Sequence, residues 1–351
     1  MSEAAPWADV RPGESRALHI TVSESYSGAE IRIPIVVHRA QQPGPTVAVT
    51  AAVHGDEING VGAIRDLITN RPFQINKGAL VLAPVVALPG FERHSRYLPD
   101  RRDLNRCFPG SSSGSLAGRL ARAFFDQVIR HCDYCIDLHS AAVRRTNFPN
   151  VRADLSKAPT RRLAMAFGCE LVLHGKGPQG SLRRTATEAG CPSIILEAGE
   201  VWKIEPAVVE IGLRGVRNVL IELDMVEGQP VRPPYQATVL RSTWVRAEQG
   251  GILQFHVAPG EPVSRRQALA TVTDLLGRAL HVLDAPRDGV VLGLSTMPAV
   301  KPGEPVCHLA HPQGGLKRIR AALAGADAHS LAERLRHDLA TNVEVQAAGG
   351  G

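Results

Sequence analysis

The chain has 351 residues, 44% of them hydrophobic, enough to bury one large core and a smaller second one. No apolar run approaches the ~18 residues of a membrane helix. The start, MSEAAPWADVRPGES, lacks a basic and then apolar leader, so a cytoplasmic, non-membrane protein is expected. The net charge of +6 is carried mostly by arginine, but only 4% of residues are aromatic and no nucleic-acid motif appears; a small anion is the better partner.

Residues 1–25 read as an N-terminal extension. From residue 26 to 228, strand-like and helix-like patterns alternate, the mark of a layered α/β domain with a parallel or mixed sheet. IRIPIVVHRA and TVAVTAAV are β-branched strands, and HGDE and the helical INGVGAIRDLIT follow the second. GALVLAPVVA is the next apolar strand, then come an arginine-rich loop containing RYLPDRRDLNRCFPG and the helix LAGRLARAFFDQVIR. DYCIDLHS and PSIILEAGE are buried strands with polar ends, and EPAVVEIGLRGVRNVLIELDMV is an amphipathic helix.

The six cysteines read as reduced thiols, and the lone CxxC of Cys132 and Cys135 as core residues facing opposite sides of a strand. GQPVRPP breaks the chain, since its prolines cannot continue a helix. Residues 235–312 carry short strands and an internal repeat, VAPGEPV at 257–263 and VKPGEPV at 300–306, which predicts a pseudo-symmetric all-β module. That module resembles the barrel-sandwich halves of biotinyl and lipoyl domains but lacks their acceptor lysine, which argues against a carrier role. Residues 313–351 read as a short helix and a loose tail.

Polar residues at the carboxyl ends of buried strands are where α/β sheets bind ligands. His54 and Glu57 form an HxxE pair after one strand, and His139 ends another. Two imidazoles and one carboxylate suit a single catalytic zinc, because three protein ligands leave a position for water whose pKa then falls to about 7. Glu197, ending the apolar run of SIILEAGE, is placed to act on that water as general base and acid, with Glu200 as the nearby competitor. Asn105 and Arg106 of DLNR can present an amide and a planar fork to a substrate carboxylate. Arg96, Arg101, Arg102 and Arg106 crowd the same loop and favour anion binding.

HGDE, DLNR, IDLH and LEAG, in that order, resemble the succinylglutamate desuccinylase/aspartoacylase family of zinc carboxypeptidase-like hydrolases, over about residues 30–312. The resemblance implies a three-layer α/β/α zinc-carboxypeptidase-like domain with a mixed sheet, then a small barrel-sandwich-like β domain that caps the active site. It makes His54, Glu57 and His139 the zinc ligands, Glu197 the residue that activates water, and Asn105 and Arg106 the holders of a substrate carboxylate. Asp103 would orient His54. Either Arg96, in the RY pair, or Arg102 falls on the arginine that serves the oxyanion, Arg96 first. A further substrate arginine falls on Arg183, with Arg184 close behind.

The expected reaction is zinc-dependent hydrolysis of the amide of a small anionic N-acyl amino acid, with a zinc carboxypeptidase acting on short peptides as the alternative. A non-catalytic metal-dependent binding protein is a third reading, disfavoured because ligands and Glu197 are all present. Acyl group, amino acid and any homo-oligomer are left open.

Overall fold

The computed structural model describes residues 4–25, 27–325, 330–340 and 345. Strands β1 (Ser15–Glu24), β2 (Glu30–Arg39) and β3 (Gln42–Ala51) lead to helix α1 (Asn59–Thr69), β4 (Lys77–Ala83) and the one-turn α2 (Leu88–Phe91). Next come α3 (Leu116–Gln127), β5 (Tyr134–His139), β6 (Arg145–Ala153), α4 (Ala158–Phe167), β7 (Leu171–His174), α5 (Leu182–Glu188), β8 (Ser193–Gly199) and α6 (Pro206–Glu222). The remainder comprises β9 (Ala237–Arg246), β10 (Gly251–Phe255), β11 (Pro262–Val263), β12 (Ala268–Thr273) and β13 (Ala279–Asp284). β14 (Gly289–Ser295), β15 (Ala299–Val300), β16 (Pro305–Pro312), α7 (Lys317–Ala324) and α8 (Leu331–Ala340) end it.

Twelve strands form one mixed sheet in the order β1-β2-β4-β3-β5-β8-β6-β7-β9-β16-β14-β11. Its centre, β4-β3-β5-β8, is parallel, and these strands are apolar on both faces, as a doubly covered sheet demands. Val47, Val49 and Ala51 of β3, with Leu80 and Leu82 of β4, join a core with α1, α4 and α6. The alternate residues, Ala48, Val81 and Ala83, join a second core on the other face with α3 and α5. Phe124 and Phe125 of α3 are fully buried there, each stabilising by about 1.5–3 kcal/mol relative to exposure.

Three boundaries differ from the sequence reading. Residues 15–24 are no extension: they pair antiparallel with β2 as the sheet's edge strand, burying Ile20 and Val22 on one face and showing polar residues on the other. At the β module expected over residues 235–312 the main sheet does not stop: β9 runs parallel to β7 and β14 pairs with β6, so it continues into the module. A separate four-stranded sheet, β13-β12-β10-β15, closes that module over its own core of Leu253, Phe255, Leu269 and Val272. The two sequence repeats make the same turn: Gly260 (φ 85°) and Gly303 (φ 88°) take left-handed conformations, and Glu261 and Glu304 each accept a backbone N–H three residues upstream at 3.0 Å.

The third difference is the tail. Its described part holds α7 and α8, whose Ile319, Leu335 and Leu339 are buried in the core beside α6, and Arg336 of α8 pairs with the buried Glu170. The remaining tail residues lie outside those described. Cys132 and Cys135 share one core rather than opposite faces, because Cys132 precedes β5 and its alternation; burial pushes both thiols well above the ordinary range. Among the described residues, no helix is long and apolar enough to cross a membrane.

Candidate active site

The parallel strands β3, β5 and β8 end at one rim, and their registers set the site. His139 lies directly opposite Glu197 across the β5–β8 pair. β3 stops at Ala51, the backbone turns through Ala52 at φ 47°, an uncommon value for a residue with a Cβ, and His54 follows at once. The glycine of HGDE is required by close approach: a Cβ on Gly55 would stand 2.1 Å from the Gly90 carbonyl carbon and 2.2 Å from the Phe91 nitrogen.

His54, Glu57 and His139 are buried, and their donor atoms all lie within 4.8 Å of one another. His54 Nδ1 is 2.6 Å from Glu57 Oε1, and His139 Nδ1 is 2.7 Å from Oε2 of the same carboxylate. The far nitrogen of each ring faces another acid: His54 Nε2 is 3.2 Å from Asp103 Oδ1, and His139 Nε2 is 2.7 Å from Asp137 Oδ2. Asp137 is itself held by the Thr50 hydroxyl at 2.6 Å. Two inward imidazole nitrogens, each ring braced by a carboxylate behind it, together with Glu57 make a group that could hold a metal ion.

Electrostatics favour positive charge at that spot. Burial alone would raise the Glu57 carboxyl, but the two imidazoles override it and hold it below the ordinary carboxylate range. Burial works against the His139 imidazolium too, yet Asp137 and Glu57 push it well above the ordinary value. Asp103 is likewise held low against its burial, by His54 and then Arg96.

Every other residue that the motifs singled out can be placed. Arg96 donates from Nη1 to Glu57 at 3.1 Å and from Nη2 to Asp103 at 3.0 Å. Arg102 is exposed, reaches only Asp100 at 3.9 Å and does not line the cavity, and Arg101 is also exposed. The loop turns these two outward because Leu98 and Arg102 close it by a backbone hydrogen bond. Asn105, Arg106 and Arg183 line one cavity together with His54, Glu57, His139 and Glu197.

Asn105 accepts the Leu182 N–H at 2.8 Å, which ties DLNR to the start of α5 and brings Arg183 beside it. Arg183 is buried, its Nε has no partner, and burial followed by Arg152 pulls its pKa down to about 10. Arg184 instead pairs with Glu188 on the helix surface. Glu197 meets Asn147 Nδ2 at 3.2 Å and Arg152 Nη1 at 3.4 Å, and it faces the cavity; Glu200 is outside it, bound to Thr296 and Lys203.

Sequence reasoning missed Asp137, although an acid two residues before a ligand on one strand shares its face. It also missed Arg145, Asn147 and Arg152 of β6, and Trp244 and His308 of the β module, all of which line the cavity. No local signal marked these, because each reaches the site through long-range strand pairing. We expect Asp137→Asn to weaken metal binding by about 10–100-fold, read by competition with a chromophoric chelator, since His139 would lose its charged brace. Unaltered affinity would show that Asp137 does not tune the site.

The profile of the succinylglutamate desuccinylase/aspartoacylase catalytic domain matches residues 43–223, the stretch that carries all of these motifs. The chain belongs to this family. The N-alpha-acetyl-L-2,4-diaminobutyric acid deacetylase of Halomonas elongata is 29% identical over 307 residues, 84% of this chain and 89% of that protein. The crystal structure of a succinylglutamate desuccinylase/aspartoacylase from Rhodobacter sphaeroides superposes with a TM-score of 0.73 at 27% identity, covering 86% of this chain and 97% of that one. A product-bound ectoine utilization protein from Ruegeria pomeroyi shares the fold, with a TM-score of 0.74 at 24% identity over 86% of this chain and 95% of its own.

Proposed function

We propose that the protein is a zinc-dependent hydrolase that cleaves the amide bond of a small, anionic N-acyl amino acid. The observation that carries this reading is one cavity of about 290 Å³ lined by His54, Glu57 and His139, by Glu197, and by Asn105, Arg106 and Arg183. Membership of a deacylase family supports the hydrolytic chemistry. The volume stands at the small end of ligand cavities, about 300–1,000 Å³. Trp244 and His308 of the β module form part of its wall, which suits a capped site for a small amide better than a groove for a peptide.

His54, Glu57 and His139 would hold zinc, which when bound would supply Lewis acidity to the acyl carbonyl and the attacking water. Asn105, Arg106 and Arg183 bind the substrate carboxylate and set the amide over Glu197. Glu197 accepts the proton of the attacking water at a carboxylate oxygen and returns it to the leaving nitrogen. Asn147 and Arg152 hold that carboxylate in place. Arg96, the arginine beside Glu57 and Asp103, stabilises the developing oxyanion.

Zinc-loaded protein is expected to release free amino acid from N-acetyl and N-succinyl amino acids faster than it cleaves dipeptides of varied C-terminal residue, read by amine detection. Faster cleavage of the dipeptides would reassign the site to a carboxypeptidase.

A further inference from the structure

The cavity holds more positive charge than one substrate carboxylate accounts for. Among its arginines, Arg96 is paired with Glu57 and Asp103, and Arg152 lies against Glu197. Arg106, Arg145 and Arg183 line the same space and, among the described residues, meet no carboxylate within ion-pair distance. Arg183 is buried, Arg145 half-buried and Arg106 exposed; unpaired guanidiniums withdrawn from water, as the first two are, are costly to the fold, so a bound anion is the natural counter-charge. Arg106 and Arg183 belong to one wall, joined through Asn105 and Leu182, and a single carboxylate can satisfy it.

Arg145 belongs to another wall. It opens β6 beside β14, and its guanidinium lies 4.7 Å from the centre of the Trp244 ring. Trp244 is in turn stacked on His308, with ring centroids 4.3 Å apart and planes 10° from parallel. Stacking on the indole restricts the guanidinium while leaving its in-plane N–H donors for a planar acceptor. Burial, and then Arg246, disfavour its charged form, a penalty that an anion would relieve. His308 adds no charge at neutral pH, because burial, followed by Arg152, Arg145 and His311, lowers its pKa to about 3. It can therefore donate or accept a hydrogen bond there.

We propose that Arg145, braced on Trp244 beside His308, forms a second anion subsite, so that the preferred substrate carries one carboxylate for the Asn105–Arg106–Arg183 wall and another for Arg145. The inference rests on the N-acyl amino acid reading and narrows it to dianionic amides, with the second carboxylate on the acyl group or on the amino-acid side chain. A side-chain amine, as in the diaminobutyric acid derivative of the Halomonas relative's name, would bring a cation against unpaired arginines and is disfavoured.

The test compares kcat/KM of the zinc-loaded enzyme on two isosteric pairs: N-acetylglutamate with N-acetylglutamine, and N-succinylalanine with N-succinamoylalanine. In one pair the charged member is expected to lead by about 10–100-fold. Arg145→Gln should collapse that ratio toward one, and Arg145→Lys should keep part of it. No preference for either charged member, a ratio that survives Arg145→Gln, or faster turnover of N-acetyl-2,4-diaminobutyrate would each overturn the subsite. Calorimetric binding of the same pairs to the Glu197→Gln protein, with and without Arg145→Gln, reads the subsite without turnover. Discrimination there, with no hydrolysis of any amide by the wild type, would uphold the subsite and reject the hydrolase reading instead.

Discussion

Glu197→Gln is expected to lower kcat by about 10²–10⁴-fold while zinc content per chain is unchanged. The amide nearly matches the carboxylate in shape and keeps an oxygen for the Asn147 donor that now sits 3.2 Å away, so the strand end should hold its place. What it cannot do is accept a proton from water. Because Glu197 is not one of the grouped metal donors, metal analysis and turnover should separate cleanly. Unchanged kcat would remove Glu197 from the mechanism. Glu200→Gln is the control: that side chain is engaged by Thr296 and Lys203 outside the cavity, and its loss should barely affect turnover.

Removing one donor should cost both metal and stability. His139→Ala takes away the imidazole shared by Asp137 and Glu57, leaving two buried acids without their common partner. Breaking a buried, hydrogen-bonded charge group of this kind typically destabilises by about 3–5 kcal/mol. The variant is expected to purify with little zinc, show background turnover and melt at a temperature that no longer rises when zinc is added. For the wild type, free zinc at about 1,000 times Kd should contribute roughly 4 kcal/mol, and chelation should remove that together with the activity. A His139→Ala protein that still binds one zinc and hydrolyses substrate would sink the ligand assignment.

The parts of the site that lay open in the sequence share a physical cause. A strand buried on both faces has no stability reason to end in an ionisable residue, so His139 and Glu197 stood out at the ends of IDLH and of the apolar run of SIILEAGE. Parallel strands ending together then bring such residues to one rim, which the direct pairing of His139 with Glu197 bears out. His54 and Glu57 were legible for a local reason, since three residues of turn suffice to aim both at one point. The choice between Arg96 and Arg102 was not: both occupy one irregular loop, and only its folded path sends Arg96 inward to Glu57 and Arg102 out to solvent.

By itself, then, the sequence determined the alternating α/β pattern of the first part, the repeat-built β module and the chemistry of the strand ends, because these follow from short-range periodicity and from residue types that a core would reject; the family came from the resemblance of its ordered motifs. The tertiary structure decided which distant residues share the cavity. Arg145 and Arg152 come in from β6, Trp244 from β9 and His308 from β16, through pairings between segments far apart in the chain. It also decided that residues 15–24 are an edge strand and that α8 packs into the core, since half-polar segments reveal a buried face only when a partner surface covers it.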